Sequence, residues 1–265
     1  MQGARGVFQY WGPWLASRGV AVFSISYRLA KTGYKTFPHA VQDALAAIQY
    51  VRANAKDMRI AEDRIGLFGH SAGGNIGALA ALAGRSPVFT NGYPNDPHAK
   101  VPTDVKLFAG IYGVYDVFEM WNKYNARHPG QNNIEKFIGV SPMENRQLYF
   151  DASPINYATY ANNKVAVHLS VGTEDDLVDR RAHTDAFLLR LKQAGGEPAP
   201  ARGHVYQVWL LHKGDRPVPT DALCAGDPEM TAIVRETLLA GGQACRPLIA
   251  RDGGGVLLTQ AIASE

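Results

Sequence analysis

The chain has 265 residues, of which 46% are hydrophobic and 19% charged; this fits one sizeable soluble domain and excludes disorder along the whole length. The net charge is +3 with Lys and Arg scattered, so no basic track for a nucleic-acid backbone exists. No apolar run approaches the ~20 residues that span a bilayer.

In chain order, Phe8–Ser17 reads as a helix, with Phe8, Trp11, Trp14 and Leu15 on one face and Gly19 stopping it. Val20–Ser26 is a short apolar run of buried-strand type. Phe37–Met58 is a long amphipathic helix, because Val41, Ala44, Leu45, Ile48 and Val51 recur at helical spacing. Arg64–Phe68 is the next strand, and a helix follows over Asn75–Ala83. Val105–Tyr112 and Val165–Val171 are further buried-type strands. Between them, 113–161 is polar and aromatic-rich, with helix-like pieces at Phe118–Tyr124, Ile134–Ile138 and Glu144–Tyr149. Leu177–Ala194 is a helix, His204–Leu211 the last strand and Pro228–Leu239 the last helix.

Strands alternating with helices predict an α/β fold with a mostly parallel sheet covered on both faces. The segment 113–161 reads as an inserted cap. The expected domain runs over 1–245, and 246–265 reads as a poorly ordered tail. Met1–Gly12 lacks the basic, apolar and small-residue order of a signal peptide, so the chain as written is expected to be cytoplasmic. Cys224 and Cys245 then read as free thiols rather than a pair.

The sharpest motif is Gly69-His70-Ser71-Ala72-Gly73, followed by Gly74, between a predicted strand and a predicted helix. It fits G-x-S-x-G, in which a serine sits on a strained turn with its Oγ exposed. The glycines let neighbouring backbone pass close by. The helix N-terminus turns free N–H groups toward the reacting centre, making the Ala72 N–H a donor for an oxyanion. Ser71 is thus a candidate nucleophile, with Gly69 and His70 lining the site. The other reading is a glycine-rich turn without chemistry.

Tyr27-Arg28-Leu29-Ala30, Phe37-Pro38, Asp43, Asp63-Arg64-Ile65 leading into the serine motif, Ser153-Pro154-Ile155 and Val171-Gly172-Thr173-Glu174-Asp175 together resemble the hormone-sensitive-lipase-like and BD-FAE-like esterases of the α/β-hydrolase superfamily. The likeness covers about residues 7–195. It implies a carboxylic ester hydrolase with the chain order Ser, acid, His. In the family's G-T-x-D-x-x-V pattern the acid falls on Asp175, with Asp176 and Asp179 as neighbours that are solvated or cap the next helix.

The base lies on His212 or on His204. An apolar strand-like run precedes His212 and a loop follows it. Two prolines before His204, Pro198 and Pro200, argue against a central strand there. His168 reads as a core histidine inside a strand. His39, His98, His128 and His183 are not spaced as metal ligands, so neither metal nor cofactor is expected.

The chain lacks the HGG-type loop that supplies further oxyanion donors in the related enzymes. The resemblance therefore implies a hydrolase shortened at its N-terminus, its first strands missing; Gly3 and Gly6 could offer replacement N–H groups, though nothing in the sequence demands it. Tyr112, Tyr115, Phe118, Trp121 and Tyr124 form an apolar substrate pocket or pack beneath a loop. The expected substrate is a small to medium carboxylic ester, with no nucleic-acid or membrane partner; a homo-oligomer is compatible with the sequence. The alternatives are an aryl formamidase or peptidase using the same triad, or a non-catalytic hydrolase-like module.

Overall fold

The structure is a computed structural model, and it describes residues 11–16, 19–31, 33–172, 175–195 and 206–211. Among the described residues, one sheet of four parallel strands has the order β1 (Gly66–His70), β2 (Leu107–Ile111), β3 (Ala166–Gly172) and β4 (Tyr206–Leu211). Neighbours in space are neighbours in sequence. The register sets His70 beside Ile111, Ile111 beside Ser170, and Gly172 beside Leu211. All four strands therefore end at one edge, the edge where ligands bind in open parallel sheets.

Parallel neighbours need crossovers, and helices supply them. A short α1 (Trp11–Ala16) precedes α2 (His39–Ala53). α2 buries Ala40, Val41, Ala44, Leu45, Ile48 and Val51, the predicted face. It ends well before Met58, because Asn54 caps it and its side-chain amide donates to the Tyr50 carbonyl (2.7 Å). α3 (Ala72–Ala83) lies between the sheet and α2, which is why Ile76, Leu79, Ala80 and Leu82 are all buried. Burying a leucine such as Leu79 contributes about 2 kcal/mol.

Three short helices stand between β2 and β3: α4 (Val117–Arg127), α5 (Asn133–Ile138) and α6 (Arg146–Asp151). Each starts at a capping side chain: Asp116 accepts from the Glu119 N–H, Asn132 from Ile134 and Asn145 from Leu148. Their apolar residues join the core shared with the sheet, with Phe118 stacked on Trp121 (6.1 Å) and both edge-on to Tyr149. The chain then enters a 3₁₀ turn (Pro154–Tyr157) and β3. After β3 come a π-helical turn (Arg181–Asp185) and α7 (Ala186–Gly195).

Two expectations are corrected. Residues 20–26 do not form a buried strand: they run without a ladder among the described residues, and Val22 and Phe23 are 38% and 42% exposed. What fastens this part of the chain is Arg28. Its backbone N–H and guanidinium both donate to the Asp43 carboxylate of α2 (2.7 and 2.6 Å), and the Tyr93 hydroxyl donates to the same group. Burial works to raise that carboxyl's pKa, but the hydrogen bonds outweigh it and hold the group below its ordinary value. The helix expected over 177–194 also starts late. Asp175 and Asp179 take backbone N–H groups of the residues that follow them, and this turn chemistry replaces the first helical turn. The helix at 228–239, the tail at 246–265, Phe8, Cys224 and Cys245 lie outside the described residues. No helix among the described residues is long and apolar enough to cross a membrane.

Candidate active site

Ser71 sits at the junction of β1 and α3 with φ 50° and ψ −117°, a left-handed-side conformation that a non-glycine residue rarely adopts. The surroundings hold it there. Its N–H donates to the Ile111 carbonyl of β2 (2.9 Å), and its own carbonyl accepts from the Asn75 N–H (3.2 Å), the first bond of α3. A side chain at Gly69 would overlap the Gly73 carbonyl, and one at Gly74 would meet the Gly113 Cα at 2.7 Å. These two glycines are therefore required by backbone lying against backbone. Gly73 differs: a Cβ there meets nothing within 4 Å. The sequence reading gave all the motif glycines one reason, and the structure assigns it to Gly69 and Gly74 only.

Asn75 was not singled out by the sequence. It is fully buried, and its amide donates to the carbonyls of Val114 (2.9 Å) and Ala152 (3.0 Å). It ties the elbow to the loop after β2 and to the end of α6. An amide at the start of the helix after such a serine is a residue type to look for, but its two carbonyl partners are invisible in sequence.

Ala72 is the first residue of α3, so its N–H has no helical carbonyl to bond. Ser71 itself is partly exposed. Beside it, the His70 ring faces the Tyr112 ring at 5.7 Å. Partial burial pushes the His70 imidazole below its ordinary pKa. Tyr112 follows the end of β2, has φ 39°, and donates its backbone N–H to the Ser170 carbonyl of β3 (2.6 Å). Burial, and secondarily the charge of Asp175, pushes the Tyr112 phenol up. This places Tyr112 between the serine end of β1 and the Asp175 end of β3.

Asp175 lies three residues beyond β3. Its Oδ1 accepts from the N–H groups of Leu177 (3.0 Å) and Val178 (2.8 Å). Its Oδ2 makes no hydrogen bond among the described residues. Asp176 is exposed and lies 3.9 Å from Arg127; the Asp179 side chain accepts from the Ala182 N–H (2.8 Å) at the start of the π-helical turn.

Other sequence-predicted residues fall elsewhere. Tyr115 is fully buried, stacked on Phe187 at 4.5 Å and edge-on to Phe108, so it is a core residue and does not line the site. Gly69 is buried under the elbow and likewise offers substrate no surface. Phe118 and Trp121 of α4 stack on each other, and the Trp121 indole donates to Glu135 of α5 (2.8 Å). His168 is buried in β3 with its Nε2 3.0 Å from the Ser170 hydroxyl. The candidate bases His204 and His212, and the glycines Gly3 and Gly6, lie outside the described residues.

Three comparisons bear on this arrangement. The BD-FAE family profile matches residues 3–187. Esterase LipQ of Mycobacterium tuberculosis is 30% identical over 172 residues, covering 64% of this chain and 38% of LipQ. The probable carboxylic ester hydrolase LipM of the same organism is 29% identical over 187 residues, 69% of this chain and 40% of LipM. The chain thus spans about two-fifths of the length of these relatives. Among solved structures, esterase 2 of Thermogutta terrifontis, phosphoramylated by tabun, superposes with a TM-score of 0.62 at 16% identity, covering 92% of this chain and 81% of that one. At that identity the likeness establishes the α/β-hydrolase fold.

Proposed function

The chain belongs to the BD-FAE family, and on that premise we propose that it is a serine carboxylesterase acting on small to medium carboxylic esters. In this reading the Ser71 Oγ attacks the ester carbonyl and passes its proton to a histidine. The carbonyl oxygen becomes an oxyanion held by the Ala72 N–H. The histidine then gives the proton to the departing alkoxide, leaving an acyl-serine that water hydrolyses by the same steps. Asp175 holds the imidazole in the productive tautomer through its Oδ2, which has no hydrogen-bond partner among the described residues.

The base in this proposal is His212, with His204 as the alternative. β4 ends at Leu211 beside Gly172, and His212 is the next residue in the sequence. A base at that point would start from the strand neighbouring the one that delivers Asp175. Adjacent strands are about 4.8 Å apart, so the acid and base strands are neighbours and the nucleophile's strand is about 10 Å from the acid's.

The observation that carries the proposal is the backbone of Ser71, held at positive φ between Gly69 and Gly74 where neither tolerates a side chain. The test is hydrolysis of p-nitrophenyl acetate and butyrate by the chain beside Ser71→Ala. Turnover should fall by about 10³-fold or more in the variant; equal turnover sinks the reading. His212→Ala and His204→Ala, assayed the same way, identify the base. An anilide assayed beside the esters separates the amidase alternative.

A further inference from the structure

We propose that His183 is a positioning residue for the candidate acid: its ring fastens the loop carrying Asp175 to the first turn of the cap helix α4, so that acid and cap are held as one unit. The proposal rests on the esterase reading of Ser71 and Asp175.

His183 is 1% exposed and lies in the π-helical turn that leads from the acid loop into α7. Its Nδ1 accepts the backbone N–H of Asp116 at 3.2 Å. Asp116 is the N-cap of α4, where its side chain accepts from the Glu119 N–H (3.0 Å). The backbone groups on either side are held from elsewhere: the Tyr115 carbonyl accepts from the Ile155 N–H (3.1 Å), and the Val117 N–H donates to the Ser153 hydroxyl (2.8 Å). The Asp116 N–H is the group in this stretch that is satisfied from the acid side.

The other end of the link runs back to Asp175. The His183 N–H donates to the Asp179 carbonyl (3.0 Å), and the Asp179 side chain accepts from the Ala182 N–H (2.8 Å). Val178, 2% exposed, anchors the loop, and its N–H is one of the two donors that fix Asp175 Oδ1. Asp175, Val178, Asp179, His183 and Asp116 are therefore connected by backbone and hydrogen bonds from the acid to the cap. π-Helical turns recur at functional sites.

The ring can do this only as an acceptor at Nδ1, with its proton on Nε2. Asp116, Asp179 and Asp175 face it with negative charge and favour protonation, whereas Lys123 of α4 opposes it. Burial outweighs these and lowers the pKa to about 4. An imidazolium would turn an N–H against the N–H of Asp116 and break the link.

Two substitutions test this. His183→Asn sets Oδ1 as an acceptor in place of Nδ1; His183→Phe keeps the ring and removes the acceptor. On p-nitrophenyl butyrate, His183→Phe is expected to lower kcat on the order of 10- to 100-fold with little change in KM. His183→Asn should restore most of that loss and remove the part of the acid limb of the kcat profile that belongs to this ring. Amide exchange at Asp116, read by NMR without reference to turnover, should speed up in His183→Phe and stay slow in His183→Asn. Unchanged Asp116 exchange in His183→Phe overturns the link. Equal kcat losses in both variants, or a loss confined to KM, overturns the positioning role. If the chain and Ser71→Ala turn over alike, the esterase reading fails and the positioning role falls with it, while Asp116 exchange still reports whether the link exists.

Discussion

The two turns that close β1 and β3 present the candidate nucleophile and acid by opposite means. At the elbow, backbone lies directly on backbone: Gly69 under the Gly73 carbonyl, Gly74 against Gly113. At the acid loop, side chains take up backbone N–H groups instead: Asp175 those of Leu177 and Val178, Asp179 that of Ala182, His183 that of Asp116. The first device is rigid and tolerates no added atom. The second is chemical, and can be weakened by degrees or by protonation.

The sharpest way to break this contrast is Asp175→Asn. The amide Oδ1 still accepts from Leu177 and Val178, so melting should barely change, while ester turnover falls by about 10⁴-fold if Asp175 orients the base. A matching drop in melting temperature would instead make Asp175 a capping residue only. At the elbow, Gly69→Ala should cost about 3 kcal/mol in denaturant unfolding, since the clash is with backbone. Gly73→Ala, four residues on and inside α3, should keep or raise stability by up to about 1 kcal/mol through helix propensity. Similar losses at both positions would refute the backbone-contact account.

The third expectation concerns pH. The His183 pKa lies at about 4 in the folded chain against an ordinary 6.5. Between these values the unfolded chain binds a proton that the folded chain does not. Stability therefore falls as pH drops from 6.5 towards 4 and levels off below, by about 3 kcal/mol in total. Unfolding of the wild type minus that of His183→Asn isolates this contribution, and a flat difference would contradict it. Asn75→Ala should cost about 2 kcal/mol, because the Val114 and Ala152 carbonyls lose their buried donor. The smallest effect belongs to Arg127→Ala, which removes an exposed ion pair to Asp176 and should change unfolding by less than about 0.5 kcal/mol.

The contrast also governs what could be read from the sequence. The elbow was legible because its constraints are local and fall on glycine, which is conspicuous at fixed spacing around Ser71. The sheet was legible in its parallel order, since alternating apolar runs and helical periods force crossovers. The run at 20–26 misled because strand formation needs a neighbour; Val22 and Phe23 have the right composition whether or not one is present. Tyr115 misled because proximity in sequence to Tyr112 does not tell which side of the loop a ring takes. The link from His183 to Asp116 joins residues 67 apart, and nothing local to either announces it. The start of α7 was misplaced because Asp175 and Asp179 compete for the N–H groups a helix would use.

The two carbonyls that Asn75 grips lie 39 and 77 residues further along the chain. Closing loops of that length costs entropy that only the assembled domain repays. The strand–turn–helix unit around Ser71 therefore cannot sustain its own backbone geometry. A peptide cut to residues 60–85 is expected to carry the whole motif and yet leave Ser71 an ordinary alcohol, unreactive to an organophosphonate: the motif marks the candidate nucleophile, but carbonyls from the loop after β2 and the end of α6 hold its backbone in place.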